Sequence, residues 1–203
     1  MSHFPNKKLK NLYNITSWDT YNLNYWGVPK CANTSIKHSL SGNKIENPFS
    51  IAKSIHKSNS INYITRQDAL SNGFTNFSVV RNPYDRFLSL YKDWGTRRNN
   101  KELSFKIPVS FDYFLDYTLD KFYNDDVSET HFKSQTYWLA NGADLLIENI
   151  FTTDKVVDFL KKYNVELVVS NKTKDIDVNL NKKQKSKIYK RYEKDFKLLG
   201  FKK

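Results

Sequence analysis

Two short segments of the sequence place hydroxyl and basic side chains directly after a predicted strand. The first, residues 28–37, reads VPKCANTSIK and enters a predicted helix. The first backbone N–H groups of a helix have no intrahelical partner and can bind an anion. Thr34, Ser35 and Lys30 add two hydroxyls and an ammonium group as further donors. The small side chain of Ala32 lets a phosphate approach the backbone. These features predict a phosphate-binding turn, and an ordinary strand-to-helix turn remains the alternative.

The second segment, residues 79–91, reads VVRNPYDRFLSLY. Arg81 follows a predicted strand, and its guanidinium group can bind a phosphate through two parallel hydrogen bonds. Ser89 lies eight positions later, about two helical turns away. We therefore expect that an anion can be held between Arg81 and Ser89, although a serine on a helix surface is the simpler interpretation of Ser89 alone. For Arg86 we favour a structural ion pair.

Two predicted strand–turn–helix units position these segments. In the first, a strand over 23–28 leads through a turn into a helix over 34–40, with Thr34 as its N-cap. In the second, a strand over 74–80 leads into a helix that ends near Trp94. Asn82 as N-cap and Pro83 at the first helical position are a strong start signal for that helix.

The remaining elements complete an α/β pattern. Helices are predicted over 111–119, 130–139, 153–163 and 182–199, and strands over 144–151 and 165–169. Strands that alternate with helices predict a central, mostly parallel sheet flanked by helices, with ligand sites beyond the carboxyl ends of the strands. We expect one domain over 1–203, with a peripheral segment over 1–20 and a basic helix over 182–203.

Charge and cysteine content narrow the classes of partner and compartment. The formal net charge of +12 predicts an anionic partner, which could be nucleic acid, a membrane surface, a phosphorylated nucleotide or an acidic glycan. The single cysteine, Cys31, excludes an intrachain disulfide and is typical of a reducing compartment. No stretch approaches the roughly 18 apolar residues of a membrane span, and no signal peptide is recognisable. We therefore expect a cytoplasmic protein without an integral membrane segment.

Glycine placement disfavours one class of phosphate-binding enzyme. None of the six glycines stands in the G-x-x-x-x-G-K-[ST] arrangement of nucleotide triphosphatases and related kinases. A nucleotide or polyol kinase is therefore the weakest of the alternatives.

Taken in order, the two segments resemble the sulfotransferase superfamily. Its P-K-x-x-x-T-S loop, which cradles the 5′ end of 3′-phosphoadenosine 5′-phosphosulfate (PAPS), is matched by Pro29, Lys30, Thr34 and Ser35. Its R-x-P-x-x-R-x-x-S-x-Y segment, which binds the 3′-phosphate, is matched by Arg81, Pro83, Arg86, Ser89 and Tyr91. The second segment looks most like the carbohydrate sulfotransferase branch. His131 with Gln135 is similar to the H-x-x-x-Q segment of that superfamily.

The resemblance implies a P-loop-like three-layer fold and a role for each matched residue. PAPS would be the co-substrate, no metal would be needed, and the acceptor would be a hydroxyl group, expected on a carbohydrate. Lys30 would lie on the bridging oxygen of PAPS. The backbone N–H groups of Ala32, Asn33, Thr34 and Ser35 would hold the 5′-phosphate, and Arg81 with Ser89 would hold the 3′-phosphate.

A base must accept the proton of the attacking hydroxyl, and histidine titrates in the appropriate range. His56 lies 25 residues before Arg81, a position similar to that of the base histidine in the carbohydrate branch, and His131 is the second choice. Where relatives often have a glycine in the first loop, this chain has Ala32 or Asn33. Cys31 has no histidine partner that the sequence reveals, and the superfamily transfers the sulfuryl group directly, so we do not expect covalent catalysis.

Two other function classes stay open. The net charge and the many aromatic residues would also suit a nucleic-acid-binding module, which predicts steeply salt-dependent binding to oligonucleotides. A nonenzymatic relative that binds PAPS or a bisphosphate would bind the nucleotide and leave it intact. We expect no nucleic acid partner.

Overall fold

A computed structural model describes residues 14–42, 61–96, 103, 105–127, 129–169 and 178–203. These residues form two compact units, the first from Met1–Val80 and Leu146–Lys172 and the second from Arg81–Leu145 and Thr173–Lys203. The expectation of one domain over 1–203 stays a prediction.

The strands are β1 Ile15–Trp18, β2 Leu23–Trp26, β3 Asn62–Ile64, β4 Thr75–Val80, β5 Ala140–Asn141, β6 Asp144–Leu145 and β7 Asn149–Thr152. The helices are α1 Asn33–Leu40, α2 Arg66–Ser71, α3 Pro83–Leu90, α4 Phe111–Lys121, α5 Gln135–Leu139, α6 Val156–Lys161 and α7 Lys182–Leu198.

A five-stranded sheet in the order β3-β1-β2-β4-β7 forms the centre of the first unit. Strands β2, β4 and β7 are parallel, whereas β1 runs antiparallel to both β2 and β3. Trp26 at the end of β2 is in register with Ser78 near the end of β4. The carboxyl ends of these two strands therefore lie side by side at one edge of the sheet.

Helices cover both faces of this sheet. Alternate residues of a strand point to opposite faces, so neighbouring residues of β2 and β4 contact different helices. On one face, Tyr25 and Phe77 belong to a hydrophobic core that includes Ile36 of α1 and Leu160 of α6. On the other face, the amide of Asn24 donates to the carbonyl oxygen of Ala69 in α2 at 3.0 Å, and Asn76 makes the same type of bond at 2.9 Å. The predicted α/β class, with a central sheet flanked by helices, is confirmed.

The second unit is built on an aromatic core between helices. Helix α3 continues into a π-helical segment, Tyr91–Gly95, so the helix predicted to end near Trp94 is confirmed. Phe87 and Tyr91 of this helix are buried, as are Ile188, Tyr192 and Phe196 of α7. Short strands β5 and β6 pair antiparallel in the same unit.

Three predicted elements differ from the observed ones. Residues 130–139 are not one helix, because Lys133 is extended and the hydroxyl of Ser134 caps a new helix by accepting from the N–H of Tyr137. Residues 165–169 are not a strand, and the N–H of Val168 instead donates to the Ser39 hydroxyl at 2.8 Å. Residues 144–151 divide into β6 and β7.

The antiparallel edge of the sheet is also absent from the sequence prediction. Residues 1–20 were expected to be peripheral, but Ile15–Trp18 within them form β1, and all four residues of that strand are buried. Strand β3 is only three residues long. In the described part of the chain, no helix is long and apolar enough to cross a membrane.

Candidate active site

The turn between β2 and α1 contains two residues in the left-handed region of backbone conformation. Lys30 has φ 67° and Ala32 has φ 58°. Inside the turn, the N–H of Cys31 donates to the carbonyl oxygen of Val28 at 3.2 Å. Ala32 adopts a conformation that glycine favours, and a residue with a side chain does so at a cost of about 1–2 kcal/mol.

Helix α1 begins one residue earlier than the sequence predicted. Ala32 is its N-cap and contributes no side-chain hydrogen bond, so the assignment of Thr34 as N-cap is wrong. The reason is that the left-handed Ala32 starts the helix through its carbonyl oxygen, which accepts from the N–H of Ile36 at 3.0 Å. Asn33, Thr34 and Ser35 then form the first helical turn. The first N–H groups of a helix have no carbonyl partner within that helix, which is the arrangement an anion site requires.

Gly27, which connects β2 to this turn, is closely surrounded. A Cβ atom at this position would lie 2.5 Å from Oδ1 of Asn33 and 2.6 Å from Nδ2 of Asn14. The peptide groups of Gly27 are also held by Asn14, whose carbonyl oxygen accepts from the Gly27 N–H at 3.1 Å and whose Nδ2 donates to the Gly27 carbonyl at 2.9 Å. A larger residue at position 27 would displace one or both of these asparagine side chains.

A buried lysine stands behind this contact. Lys37 of α1 is fully buried, and its ammonium group donates to Oδ1 of Asn14 and to the hydroxyl of Tyr63. Burial lowers the pKa of Lys37 to about 7. The sequence prediction missed Asn14, Gly27 and Lys37, because nothing in their types or spacing shows that they meet. Burial of a lysine in an otherwise polar helix face is not visible in a sequence.

In the second unit, the backbone of Arg81 is fixed by a side-chain amide. Gln135 of α5 accepts from the Arg81 N–H through Oε1 at 2.9 Å and donates to the Arg81 carbonyl through Nε2 at 2.7 Å. In the described part of the chain, the guanidinium group of Arg81 makes no hydrogen bond or ion pair. Arg81 directly follows β4, and Ser89 lies half-buried on α3 of the same unit.

Gln135 is itself held by a buried carboxylate. Asp195 of α7 accepts from the N–H of Gln135 and from the N–H and hydroxyl of Thr136, each at 2.9 Å. Burial raises the pKa of Asp195, and the positive charge of Arg86 and these hydrogen bonds oppose that rise without cancelling it. The start of α5 is thus anchored on α7.

Arg86 is a structural residue, held by two backbone carbonyl groups. Its side chain is buried, and its guanidinium group donates to the carbonyl oxygens of His131 at 3.0 Å and Lys133 at 2.9 Å. These two carbonyls belong to the interruption between the 3-10 turn Thr130–Phe132 and α5. The charge of Asp195 also interacts with Arg86.

His131 forms a pair with a carboxylate. Its Nδ1 lies 2.6 Å from Oε1 of Glu129, and its ring lies 4.8 Å from that of Trp94. Burial raises the pKa of Glu129, whereas the hydrogen bonds and the charge of His131 lower it. The lowering effects together exceed the effect of burial, so the pKa of Glu129 lies below its ordinary value. A carboxylate on Nδ1 orients the ring and leaves Nε2 for another partner. His56, the first choice as base, lies outside the described residues.

Comparison with known proteins decides the family of this chain. The model of the sulfotransferase family matches residues 13–151, which are 139 of the 203 residues. The chain belongs to the sulfotransferase family. Searches of the curated proteins and of the solved structures found no match for it.

The family assignment has direct consequences for the predictions. This sulfotransferase is an enzyme, as the two motifs predicted, and the superfamily assignment is confirmed. The matched range includes both motifs and His131. The roles of Lys30, His56, the 32–35 turn, Arg81 and Ser89 stay predictions. Among the described residues no group of three or more His, Cys, Asp or Glu could hold a metal ion.

Proposed function

We propose that this sulfotransferase moves a sulfuryl group from PAPS to a hydroxyl group of a carbohydrate, in the cytoplasm. The observation that carries the proposal is the pairing of β2 with β4, whose carboxyl ends lie side by side. The turn with Lys30 follows the first strand, and Arg81 follows the second. Ligands of open α/β sheets bind beyond the carboxyl ends of neighbouring strands.

The turn after β2 suits the 5′ end of the donor. Asn33, Thr34 and Ser35 offer backbone N–H groups at the start of α1, and Ala32 has a side chain small enough for a phosphate to approach. Lys30 is half-buried beside them. We assign to its ammonium group the neutralisation of the charge that develops on the bridging oxygen as the bond to sulfur breaks.

Arg81 suits the 3′-phosphate. Its backbone is held on both sides by Gln135, so the guanidinium group starts from a fixed point. A guanidinium group can bind a phosphate through two parallel hydrogen bonds, and Ser89 supplies a hydroxyl on the same helix segment. The 3′-phosphate is what distinguishes PAPS and its product from ATP, so we assign donor specificity to Arg81.

The transfer itself is an in-line displacement at sulfur. The acceptor oxygen forms a bond to sulfur as the bond from sulfur to the 5′-phosphate oxygen breaks, and the products are a sulfate ester and adenosine 3′,5′-bisphosphate. The hydroxyl proton goes to a base, for which we propose His56 first and His131 second. Positioning and charge stabilisation carry this type of reaction, and no metal is required.

Binding and turnover test the proposal together. We expect adenosine 3′,5′-bisphosphate to raise the thermal midpoint of the purified protein, whereas ATP and an oligonucleotide do not. Arg81→Ala should weaken bisphosphate binding about 10- to 100-fold, because a charge-assisted contact to phosphate is lost. Lys190→Ala, which removes one exposed positive charge on α7, is the matched control and should bind as the wild type does. Equal stabilisation by all three ligands would instead favour the nucleic-acid-binding module.

Turnover separates an enzyme of this type from a nonenzymatic binder. With radiolabelled PAPS and a panel of acidic and neutral oligosaccharides, Lys30→Ala should lower kcat about 100- to 1000-fold. Removal of the base should lower kcat about 100- to 10,000-fold, so His56→Ala and His131→Ala identify it by direct comparison. Full turnover in His56→Ala would remove that residue as the base. Intact PAPS with every acceptor would end the carbohydrate proposal.

A further inference from the structure

A chain of buried polar contacts connects the middle of α1 to the end of β2. The ammonium group of Lys37 donates to Oδ1 of Asn14, and Nδ2 of Asn14 donates to the carbonyl oxygen of Gly27 at 2.9 Å. The Gly27 N–H returns a bond to the Asn14 carbonyl at 3.1 Å. Tyr63 of β3 completes the surroundings of Lys37, with its hydroxyl 3.2 Å and its ring centre 4.7 Å from the ammonium nitrogen.

This lysine is a poor choice for stability alone. Lys37 is fully buried, and no carboxylate contacts its ammonium group in the described part of the chain. A buried ammonium group loses its hydration, and an apolar side chain of similar length would fill the same space without that cost. What Lys37 supplies and an apolar side chain cannot is a hydrogen bond that fixes the amide of Asn14.

Fixing Asn14 has a consequence at the turn. Gly27 is packed closely against Asn14 and Asn33, since a Cβ atom at this position would lie 2.6 Å from the first and 2.5 Å from the second. A displacement of Asn14 is therefore transmitted to Gly27, where the turn begins, and to Asn33, where α1 begins. Between these two points stand Lys30 and Ala32, the residues with left-handed backbone.

We propose that Lys37 is a positioning residue for the donor: through Asn14 and Gly27 it holds the 28–35 turn in the conformation that binds the 5′-phosphate. This role rests on the proposed function. It assigns no contact between Lys37 and the donor, because the Lys37 side chain is fully buried. The role concerns the 5′ end of the donor alone, because the backbone of Arg81 is held by Gln135 and not by Asn14 or Gly27.

Two nucleotides separate positioning of the turn from general loss of structure. Adenosine 3′,5′-bisphosphate uses both phosphate sites, whereas adenosine 3′-monophosphate uses only the site assigned to Arg81. By calorimetry, Lys37→Met should raise the Kd of the bisphosphate about tenfold, as loss of one net hydrogen bond predicts, and leave that of the monophosphate within about twofold. Asn14→Asp tests the contact between Asn14 and Gly27, because the aspartate carboxylate can still accept from Lys37 but cannot donate to the Gly27 carbonyl. It should give the same selective loss.

Leu40→Ala provides the matched control, since Leu40 is buried in the same helix and its side chain has no polar group that could join these hydrogen bonds. It should lower stability and leave the ratio of the two Kd values unchanged. An equal loss of affinity for both nucleotides in Lys37→Met, or no loss for either, would overturn the positioning role. If Lys37→Met does not fold, Asn14→Asp decides the question by the same ratio. A wild-type chain that binds both nucleotides equally would overturn the 5′-phosphate site itself, and a chain that binds neither would overturn the donor proposal.

Discussion

The side-chain amide of Gln135 pairs with both backbone polar groups of Arg81, accepting from its N–H at 2.9 Å and donating to its carbonyl at 2.7 Å. The pair fixes the backbone of the residue that follows β4. Both bonds are to the backbone of Arg81, so its long side chain can extend towards a ligand. Gln135 is therefore a positioning residue for the arginine on which donor specificity rests.

Gln135→Leu should weaken the binding of adenosine 3′,5′-bisphosphate and lower stability. Leucine has a similar volume but leaves both polar groups of Arg81 without a partner, which costs about 1–3 kcal/mol of the free energy of unfolding. Urea denaturation gives the stability change and calorimetry gives the affinity. Leu139→Ala, which shortens a buried side chain on the same helix, is the control and should lower stability while leaving the affinity unchanged. A Gln135→Leu variant with wild-type affinity would show that Arg81 does not depend on this support.

Asp195→Asn should lower stability by about 2–3 kcal/mol, although it removes a buried charge. The carboxylate accepts from two backbone N–H groups and from the Thr136 hydroxyl. An asparagine at this position must turn its own NH₂ group towards one of those donors and leave it unsatisfied. Chemical denaturation measures the change. A more stable variant would indicate that the desolvation of Asp195, which raises its pKa, exceeds the value of its three bonds.

The sequence predicted the elements whose signals are local. Asn82 and Pro83 start α3 as expected, and Asn82 accepts from the N–H of Tyr84 at 2.9 Å. The strands before both motifs were also predicted, because runs of aromatic and β-branched residues end at clear turns. The position of Arg81 and Lys30 after neighbouring strands followed from the α/β pattern.

Contacts between distant residues could not be predicted in the same way. Strand β1 is only four residues long, and its place in the sheet depends on its pairing with β2 and β3. The start of α1 was misplaced because a threonine is a common N-cap, whereas the left-handed conformation of Ala32 depends on the turn as a whole. Lys37 and Asn14 are 23 residues apart in sequence, so their contact exists only in the folded chain.

Ala32→Gly should stabilise the protein. Ala32 has φ 58° and ψ 18°, a left-handed conformation that costs a non-glycine residue about 1–2 kcal/mol. Glycine removes most of that strain but gains freedom in the unfolded chain, so we expect a net gain of about 0.5–1 kcal/mol. Thermal and urea denaturation measure it. The control is Ala69→Gly in α2, which relieves no strain and should destabilise by about 1 kcal/mol or more. Equal effects of both substitutions would contradict the strain at Ala32.

The free energy of unfolding should rise with pH above neutrality because of Lys37. Its pKa in the folded chain is about 7 against an ordinary value of 10.5, so between these values the unfolded chain binds a proton that the folded chain does not. Stability then increases with pH by up to about 1.4 kcal/mol per unit. Burial also raises the pKa of Tyr63, the titratable group that contacts Lys37, so Tyr63 does not oppose this trend below pH 9.

Comparison with Lys37→Met isolates this contribution from all other titrations. The variant should be the more stable protein at pH 7, and its advantage should shrink as the pH rises, by about 2–3 kcal/mol at pH 9. Urea denaturation at pH 7, 8 and 9 measures the difference. Lys190→Met is the control for the loss of a lysine, because Lys190 is exposed. The dependence of its free energy of unfolding on pH should run parallel to that of the wild type. Parallel profiles for Lys37→Met as well would mean that Lys37 is not buried in the state that unfolds, and the contact with Asn14 would lose its physical basis.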